Sequence, residues 1–398
     1  MTLRRLLVVA YYTPPLGLSG VMRVTKLCKF LPEAGWRPLI LTVKPVAYYS
    51  YDPELLNDLA QSRIYRTESF DPNRVMNVLR ARARRLTPAL SKVGGAGPRA
   101  LNSILFPDSK IGWFPFGSSI GRHIIDEQKP AAIFATSPPF TSLLLGVRLK
   151  AHAGVPLVCD FRDPWPTGFA PPPSHQRAAL RRLRRYFVEH ADLTLAVNEG
   201  TARQVGPGVE VLDNGFDPTE FEVEPELLPG QSILHVGNLW QNEAQVLSFV
   251  AALKAVPDAK LYLAGGSGDG VRRSLAGNPQ VEFIGTVTHA RACALMKGAH
   301  ALLYIGKPNQ PAGIKLYEYL GAGKPVLVWG EGAEEAAGIV ASVGAGIACG
   351  TDPARLVSAL AETGTGAGRF ASGNRDRFNR RCQAQWLGNR LEDLVLKS

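Results

Sequence analysis

Residues Gln310–Leu327 read QPAGIKLYEYLGAGKPVL, a pattern typical of a helix followed directly by a buried strand. After a Pro-Ala-Gly turn, apolar residues recur at helical spacing: Ile314, Leu316, Tyr317 and Leu320. Gly321 and Gly323 predict the end of the helix, and the apolar run Pro325–Trp329 predicts a short buried strand. The stretch therefore indicates one helix-to-strand step of an α/β fold.

The start of this helix has the composition of an anion site. A helix that begins in a glycine turn directs free backbone N–H groups and the positive end of its dipole at whatever lies in front of it. Lys315 lies in the first turn and Glu318 one turn later, which suits the phosphates and the ribose of a nucleotide. The alternative is a solvent-exposed Lys–Glu pair on an amphipathic helix, and the stretch alone leaves both interpretations open.

The second half of the chain alternates between strands and helices. Strands are predicted at 233–236, 260–264, 281–284, 301–305 and 325–328. Helices are predicted between them at 243–255, 289–296 and 313–320. This alternation predicts a parallel, doubly wound sheet of the α/β class.

The first half begins with a similar unit. Leu6–Ala10 predicts a strand, Tyr12–Gly20 a loop rich in proline and glycine, Val21–Leu31 a helix, and Leu39–Val43 the next strand. A glycine loop at a helix N-terminus is the usual place for a ligand in an open parallel sheet. Arg23, in the first turn of the predicted helix, is placed to meet a negative charge there. The whole chain is thus predicted to form two Rossmann-like domains.

A polar cluster follows the strand predicted at Pro156–Cys159. It reads Asp160-Phe161-Arg162-Asp163-Pro164-Trp165. Charged groups at a strand end are costly to cluster unless they pair or bind something, and strand ends carry the chemistry of open α/β sheets. The cluster predicts either a binding site or an internal Asp–Arg ion pair with Trp165 as packing, and we favour the site.

Composition limits the class of protein. The 398 residues suffice for two or three domains. The five cysteines are scattered and form no Cys-x-x-Cys pair, so we expect neither a disulfide framework nor a zinc site. No stretch reaches the length of a membrane span, and the apolar run near the N-terminus is short and has no cleavage site, so we expect a cytoplasmic protein.

The net charge of +11 predicts an anionic partner. The sequence has no zinc-finger spacing, RNP pattern or basic heptad region, so nucleic acid is not expected. Two arginine-rich helices are predicted, at Arg74–Arg85 and Arg177–Tyr186. Each is either a solvated helix face or a surface for an anionic bilayer, which would place the protein on the inner face of the plasma membrane.

Several motifs together resemble those of glycosyltransferase family 4, the retaining enzymes with the GT-B fold. The stretch quoted first resembles the family's nucleotide-sugar signature, in which two glutamates precede Gly-Lys-Pro-Val. Glu318 matches the second glutamate, and Gln310 occupies the place of the first. The cluster at 160–165, the Ser-Pro-Pro-Phe turn at 137–140 and the stretch 107–113 resemble bacterial surface-polysaccharide members of the family.

The resemblance implies how the chain is divided. Residues 1–213 would form a Rossmann-like acceptor-binding domain, and residues 214–374 a Rossmann-like domain for the nucleotide sugar. A C-terminal helix at 375–398 would pack back on the first domain. In the GT-B fold the two domains face a cleft.

The resemblance also implies roles for individual residues. Lys315, Arg23 and Asp163 are expected to act in catalysis, the first two by stabilising charge on the leaving phosphate. The donor is expected to contact Gly20, Gly237, Asn238, Ile284, Gln310, Gly313, Ile314, Lys315 and Glu318. The acceptor is expected to contact Ser19, Asp160, Arg162 and Trp165. Asn238 stands where the family often has arginine, so the diphosphate would depend on Lys315 and on helix N-termini.

The implied function is transfer of a sugar, with retention, from a UDP- or GDP-linked donor to an acceptor hydroxyl in cell-surface polysaccharide or glycolipid synthesis. The acceptor would be a glycan or a lipid-linked glycan, and no metal or other cofactor is expected. Two alternatives stay open. One is a non-catalytic nucleotide-sugar-binding scaffold subunit, favoured by the uncharged Gln310 and Asn238, and the other is a GT-B nucleotide-sugar epimerase or hydrolase.

Overall fold

A computed structural model describes residues 3–45, 50–72, 74–76, 105–166, 174–239, 242–306, 311–365, 370 and 374–398. The chain forms two compact units: unit 1 is Met1–Asn214 with Arg381–Ser398, and unit 2 is Gly215–Arg380. The sequence places these limits at 213 and 374, so the segment that returns to unit 1 starts six residues later than expected. Gln310 and most of the predicted helix Arg74–Arg85 lie outside the described residues.

Unit 1 is built on a seven-stranded parallel sheet. Its strands are β1 (Arg4–Val9), β2 (Trp36–Val43), β3 (Arg63–Thr67), β4 (Ala132–Ser137), β5 (Leu157–Phe161), β6 (Leu193–Ala196) and β7 (Glu210–Val211). They lie in the order β3-β2-β1-β4-β5-β6-β7. The helices around them are α1 (Ser19–Phe30), α2 (Phe114–Gln128), α3 (Phe140–Ala153), α4 (Ser174–His190), α5 (Glu199–Val205) and a C-terminal helix (Arg380–Lys397).

The central strands of this sheet form because their side chains are apolar on both faces. In β1, Leu6 and Val8 pack in one cluster with residues of α1 and the C-terminal helix. Leu7 and Val9 point the other way and pack in a second cluster with residues of α2 and α3. Alternate residues of a strand face opposite sides of a sheet, so a strand between two helix layers must be a continuous apolar run.

Unit 2 is built on a six-stranded parallel sheet. Its strands are β8 (Gln231–Val236), β9 (Ala259–Ala264), β10 (Val281–Gly285), β11 (Ala301–Ile305), β12 (Val326–Trp329) and β13 (Gly346–Gly350). They lie in the order β10-β9-β8-β11-β12-β13. The helices around them are α6 (Glu243–Leu253), α7 (Asp269–Ser274), α8 (His289–Gly298), α9 (Ile314–Ala322), α10 (Glu334–Ser342) and α11 (Pro353–Thr365).

The predicted fold class is confirmed, because both units are parallel sheets with helices on the two faces. The stretch quoted first forms α9 and β12, within two residues of the predicted limits. In each sheet the order of the strands reverses once, between β1 and β4 in unit 1 and between β8 and β11 in unit 2. Loops part at such a switch point and leave room for a ligand at the carboxyl ends of the strands.

Candidate functional site

A cavity of about 250 Å³ lies at the switch point of unit 2. The end of β8 supplies His235 and Gly237, the end of β11 supplies Tyr304, and the turn before α9 together with its first residues supplies Gly313 and Lys315. The other described residues that line it are Val236, Asn238, Asn242, Ile305 and Pro311. Gly237 has a φ of +138°, which residues with a Cβ rarely adopt, so a glycine is required at this bend.

The N-terminus of α9 is open. Its N-cap is Gly313, whose backbone is extended and which has no side chain to accept hydrogen bonds from the first turn. The turn is held from two sides, because Gly313 N–H donates to the Tyr304 hydroxyl (2.9 Å) and Ala312 N–H donates to Glu335 Oε2 (3.0 Å). An uncapped helix N-terminus beside a cavity favours an anion there.

Lys315 and Glu318 form an ion pair at the same place. Lys315 Nζ lies 2.7 Å from Glu318 Oε2, and the two side chains are 31% and 10% exposed. The pair is therefore the i, i+3 pair of the alternative interpretation, but it is not a solvent-exposed one, because Glu318 is nearly buried. An ammonium group has three donors, so Lys315 can keep Glu318 as a partner and still contact an anion.

Three residues that were not predicted as site residues also line the cavity: His235, Asn242 and Tyr304. His235 Nδ1 lies 3.0 Å from the Leu303 carbonyl oxygen. Burial lowers the pKa of His235 to about 4, the hydrogen bond to Leu303 opposes this shift, and the charge of Lys315 adds to it. Asn242 is 8% exposed, and its Oδ1 has no hydrogen-bond partner among the described residues.

The predicted donor residues divide into two groups. Gly237, Asn238, Gly313 and Lys315 line the cavity. Asn238 is also tied to the loop after β9, because its Oδ1 accepts from Gly266 N–H at 3.1 Å. Ile284 lies on the edge strand β10, two strands away from β8, where it packs against the apolar core. Ile284, Ile314 and Glu318 are not among the described residues that line the cavity, although Glu318 pairs with Lys315, and Gly20 belongs to unit 1.

The switch point of unit 1 holds a buried ion pair. Arg23 in α1 is 2% exposed, and it donates to Asp160 Oδ1 (2.7 Å) and to the backbone oxygen of Asp213 (2.9 Å). Asp160, at the end of β5, is fully buried and also accepts from Thr136 Oγ1 at 2.7 Å. Arg23 and Asp160 are thus buried against each other, which does not support the predicted contacts of Arg23 with a donor phosphate and of Asp160 with an acceptor.

Trp165 packs in the core, which does not support its prediction as an acceptor contact. Its side chain is 9% exposed, and its ring centroid lies 4.2 Å from that of Phe140 and 5.9 Å from that of Phe161. A buried ion pair at Asp160 and a packed Trp165 resemble the alternative interpretation of the cluster. The arginine that completes the hydrogen-bonded pair is Arg23, from another element.

Among the described residues, the side chains of Arg162 and Asp163 form fewer hydrogen bonds than those of Arg23 and Asp160. Arg162 donates from Nε to Ser137 O at 3.2 Å and from Nη2 to Pro138 O at 2.5 Å, whereas its Nη1 has no partner among the described residues. This nitrogen is near α1, since a Cβ placed on Gly20 would lie 3.6 Å from it. The Asp163 side chain is exposed. Partial burial nevertheless raises its pKa, Arg162 opposes the rise, and Asp160 adds to it.

Ser19 is the first residue of α1, and Gly20 follows it as an exposed residue. The N-cap of α1, Leu18, has no side-chain cap for the first turn. The start of α1 is thus free of a capping side chain, as the start of α9 is.

Unit 1 also contains an open groove of about 840 Å³, lined mainly by α3, α4 and the C-terminal helix. None of the predicted site residues lines it. Along α4, the predicted arginine-rich segment has four exposed arginines: Arg177, Arg181, Arg182 and Arg185. This face is therefore a basic surface beside the groove.

Within the described residues, no three or more His, Cys, Asp or Glu side chains are grouped so that they could hold a metal ion. In the same part of the chain, no helix combines the length and the apolar character needed to cross a membrane. The five cysteines are free thiols, and four of them are buried.

Two protein-family models match the chain. Residues 20–210 match the model for a glycosyl transferase 4-like domain, and residues 230–363 match the model for glycosyl transferases group 1. A search of curated proteins gives no significant match.

Solved structures with the same fold extend over nearly the whole chain. Sucrose-phosphate synthase from Thermosynechococcus elongatus is 15% identical with a TM-score of 0.65, covering 99% of this chain and 100% of that one. HepE from Anabaena, in complex with UDP and glucose, is 16% identical with a TM-score of 0.60, covering 98% and 100%. A Listeria monocytogenes protein described as a UDP-N-acetylglucosamine 2-epimerase is 10% identical with a TM-score of 0.58, covering 100% and 98%.

The two family models divide the chain where the compact units divide it, since the boundary at Asn214 falls in the gap between the matched segments. The match to the solved structures covers both units, and these structures have the two-domain α/β fold called GT-B. The chain therefore belongs to the family 4 glycosyltransferases and is a glycosyltransferase with the GT-B fold.

Proposed function

We propose that the protein is a retaining glycosyltransferase that uses a nucleotide-diphosphate sugar in the synthesis of a cell-surface polysaccharide or glycolipid. The observation that carries the proposal is the cavity of unit 2, where the uncapped start of α9 and Lys315 meet beside the nearly buried carboxylate of Glu318. A helix N-terminus and an ammonium suit a diphosphate, and a carboxylate suits the hydroxyls of a ribose.

The donor is proposed to be UDP-linked, with a GDP-linked sugar as the second choice. HepE, which shares the fold, has been solved with UDP-glucose as well as with UDP and glucose. In this assignment the diphosphate occupies the cavity between Gly237 and Lys315, and Glu318 accepts hydrogen bonds from the ribose.

In the proposed transfer, the bond between the anomeric carbon and the diphosphate oxygen breaks. The acceptor oxygen forms its bond to that carbon from the same face, and the leaving diphosphate takes the proton of the acceptor hydroxyl. Negative charge grows on the diphosphate as the bond breaks, so fixed positive charge at Lys315 and at the start of α9 lowers the barrier.

The acceptor is assigned to unit 1, at Arg162, Asp163 and the start of α1. Arg162 has a guanidinium nitrogen without a partner among the described residues, and the Asp163 carboxylate is exposed. A glycan linked to a lipid diphosphate would suit the arginine. The exposed arginines of α4 would suit the anionic membrane in which such a lipid lies.

The first experiment is a thermal-shift screen with UDP, GDP, ADP and dTDP and their common sugars. One nucleotide is expected to raise the melting temperature well above the others, because a ligand at about 100 times its Kd stabilises the folded state by about 2.7 kcal/mol. The variant Lys315→Ala should reduce this shift, since one of the groups expected to hold the diphosphate is then missing. Stabilisation by none of these compounds would contradict the proposal.

The nucleotide found in the screen is then used, as its sugar, with candidate acceptors. Product with the anomeric configuration of the donor, read by NMR, supports retention, and inverted product contradicts it. Turnover of the donor without any acceptor would favour an epimerase or hydrolase, a distinction the fold does not make since the Listeria protein shares it. Tight binding without turnover would favour a scaffold subunit.

A further inference from the structure

The cavity of unit 2 contains a histidine that the proposed transfer has not used. His235 is the fifth residue of β8, is 6% exposed, and lines the cavity together with Gly237 and Lys315. A Cβ on Gly237 would lie 3.9 Å from His235 Nε2 and 3.8 Å from Lys315 Cε. The missing side chain of Gly237 therefore leaves space beside both groups.

The tautomer of His235 follows from its hydrogen bond. Nδ1 lies 3.0 Å from the Leu303 carbonyl oxygen, which can only accept, so Nδ1 carries a hydrogen. In the neutral ring, Nε2 then has a lone pair and no hydrogen. No described residue forms a hydrogen bond with Nε2.

The surroundings keep this ring neutral in the free protein. Burial and Lys315 lower its pKa to about 4. Charged and titratable groups come from three elements packed around the cavity. Glu318 of α9 is paired with Lys315, and Glu335 of α10 accepts from Ala312 N–H. Tyr304 of β11 and Tyr319 of α9 are held as phenols by burial, which raises the pKa of each.

A diphosphate changes this balance. Lys315 is the one fully charged cation among the described residues that line the cavity, whereas the diphosphate of a nucleotide sugar carries two negative charges. A lone pair on Nε2 repels a phosphate oxygen, but a protonated Nε2 donates a charge-assisted hydrogen bond to it. An anion at this distance also favours the charged ring.

On the basis of the proposed function, we infer that His235 takes up one proton when the nucleotide sugar enters the cavity, and that the resulting imidazolium binds the donor diphosphate. His235 and Lys315 are then the two cations that hold the diphosphate. The residue is a donor-binding group specific to this site, and its proton makes donor affinity depend on pH.

The sign of the pH effect is fixed. The pKa of His235 is about 4 in the free protein and higher in the complex, so between these two values the complex holds one more proton. Donor binding is therefore tighter at low pH and weakens as pH rises through the pKa of the complex. Affinity becomes independent of pH above that value.

Proton uptake is measured by titration calorimetry in buffers with different heats of ionisation. The probe is whichever of UDP-glucose, GDP-mannose, ADP-glucose and dTDP-glucose binds, because the diphosphate of a nucleotide sugar has no titrating proton near neutrality. The wild type is expected to take up close to one proton per site at about pH 6 and fewer at about pH 8.5.

The matched variant is His235→Asn. The Asn amide nitrogen can donate to Leu303 in place of Nδ1, and the variant has no counterpart of Nε2. We expect binding about tenfold to a hundredfold weaker than wild type at about pH 6, no proton uptake, and a smaller deficit at about pH 8.5. His300→Asn is the control. His300 precedes β11 at the amino ends of the strands, whereas the cavity lies at their carboxyl ends, and burial lowers the pKa of His300 as well.

Wild-type binding without proton uptake overturns the inference and leaves the proposed function intact. A loss in His235→Asn that is equal at both pH values also overturns it, because that pattern belongs to a structural role. Binding of none of the four nucleotide sugars overturns the proposed function itself. Proton uptake that His235→Asn abolishes and His300→Asn retains supports the inference.

Discussion

The two switch points of this molecule have the same topology and use charge in opposite ways. In unit 1, Arg23 and Asp160 neutralise each other below the surface. In unit 2, Lys315 is 31% exposed, and α9 begins at a cavity without a capping side chain. Both cations are paired, but Arg23 is buried with its partner, whereas Lys315 keeps exposed surface and spare donors beside its pair with Glu318, so only Lys315 is free to contact a ligand.

The position of each cation along its helix explains the difference. The predicted helix begins at Val21 and has Arg23 in its first turn, but α1 begins at Ser19. Arg23 is thus in the second turn and reaches the end of β5. Lys315 is the second residue of α9, so it stays beside the open N-terminus.

The largest effect is expected for Arg23→Ala. Removing one partner of a buried pair leaves the Asp160 carboxylate uncompensated, which should cost about 3–5 kcal/mol of the free energy of unfolding. Denaturant unfolding checks this value. The control is Arg4→Ala, because the Arg4–Glu392 pair is 40% and 54% exposed and its loss should cost about 0–1 kcal/mol. A stable but inactive Arg23→Ala would return Arg23 to the phosphate site and remove the contrast between the units.

The next effect is expected for Lys315→Ala. It should lower kcat about 100-fold to 1000-fold, because charge on the leaving phosphate grows in the transition state, and should change the melting temperature little. Steady-state kinetics with the donor from the screen measure this. Lys260→Ala is a matched control, since Lys260 forms an exposed pair with Glu282 in the same unit. Unchanged kcat in Lys315→Ala would place the diphosphate elsewhere.

The smallest effect is expected for Glu318→Ala. It should raise the donor KM about tenfold, as the loss of one or two hydrogen bonds to the ribose would. Glu318→Gln keeps an acceptor and should have a weaker effect. If both variants have the wild-type donor KM, Glu318 serves only to hold Lys315. The Lys315–Glu318 pair of unit 2 would then be structural, as the Arg23–Asp160 pair of unit 1 is.

Much of the fold is predictable because the central strands are buried on both faces. Leu6–Val9 of β1 and all of β12 are continuous apolar runs, and such runs separated by helical patterns specify a parallel sheet. Three edge strands, β3, β7 and β13, were not predicted. An edge strand is only partly buried, so their segments, RIYRT, EV and GIACG, lack the apolar run of a central strand.

The candidate site is less predictable, because a sequence shows the residue types but not their partners. Arg23 and Asp160 are 137 positions apart, and nothing near either residue indicates that they pair. His235 could not be selected for a different reason, because a histidine inside an apolar strand has the pattern of an ordinary core residue. Lys315 and Glu318 could be selected together because both lie on one short helix at i, i+3.

The division of unit 1 into two segments of chain has a consequence for biosynthesis. Leu387 and Leu391 of the C-terminal helix pack in one cluster with Leu6 and Leu27, and Trp36 Nε1 donates to the Gly388 oxygen at 3.1 Å. A ribosome releases residues 215–380 before residues 381–398, so unit 2 can complete its core first. The part of the molecule that is translated first is thus the last to be finished, and a nascent chain that stops short of Arg381 leaves the face of the first sheet that carries α1 only partly covered.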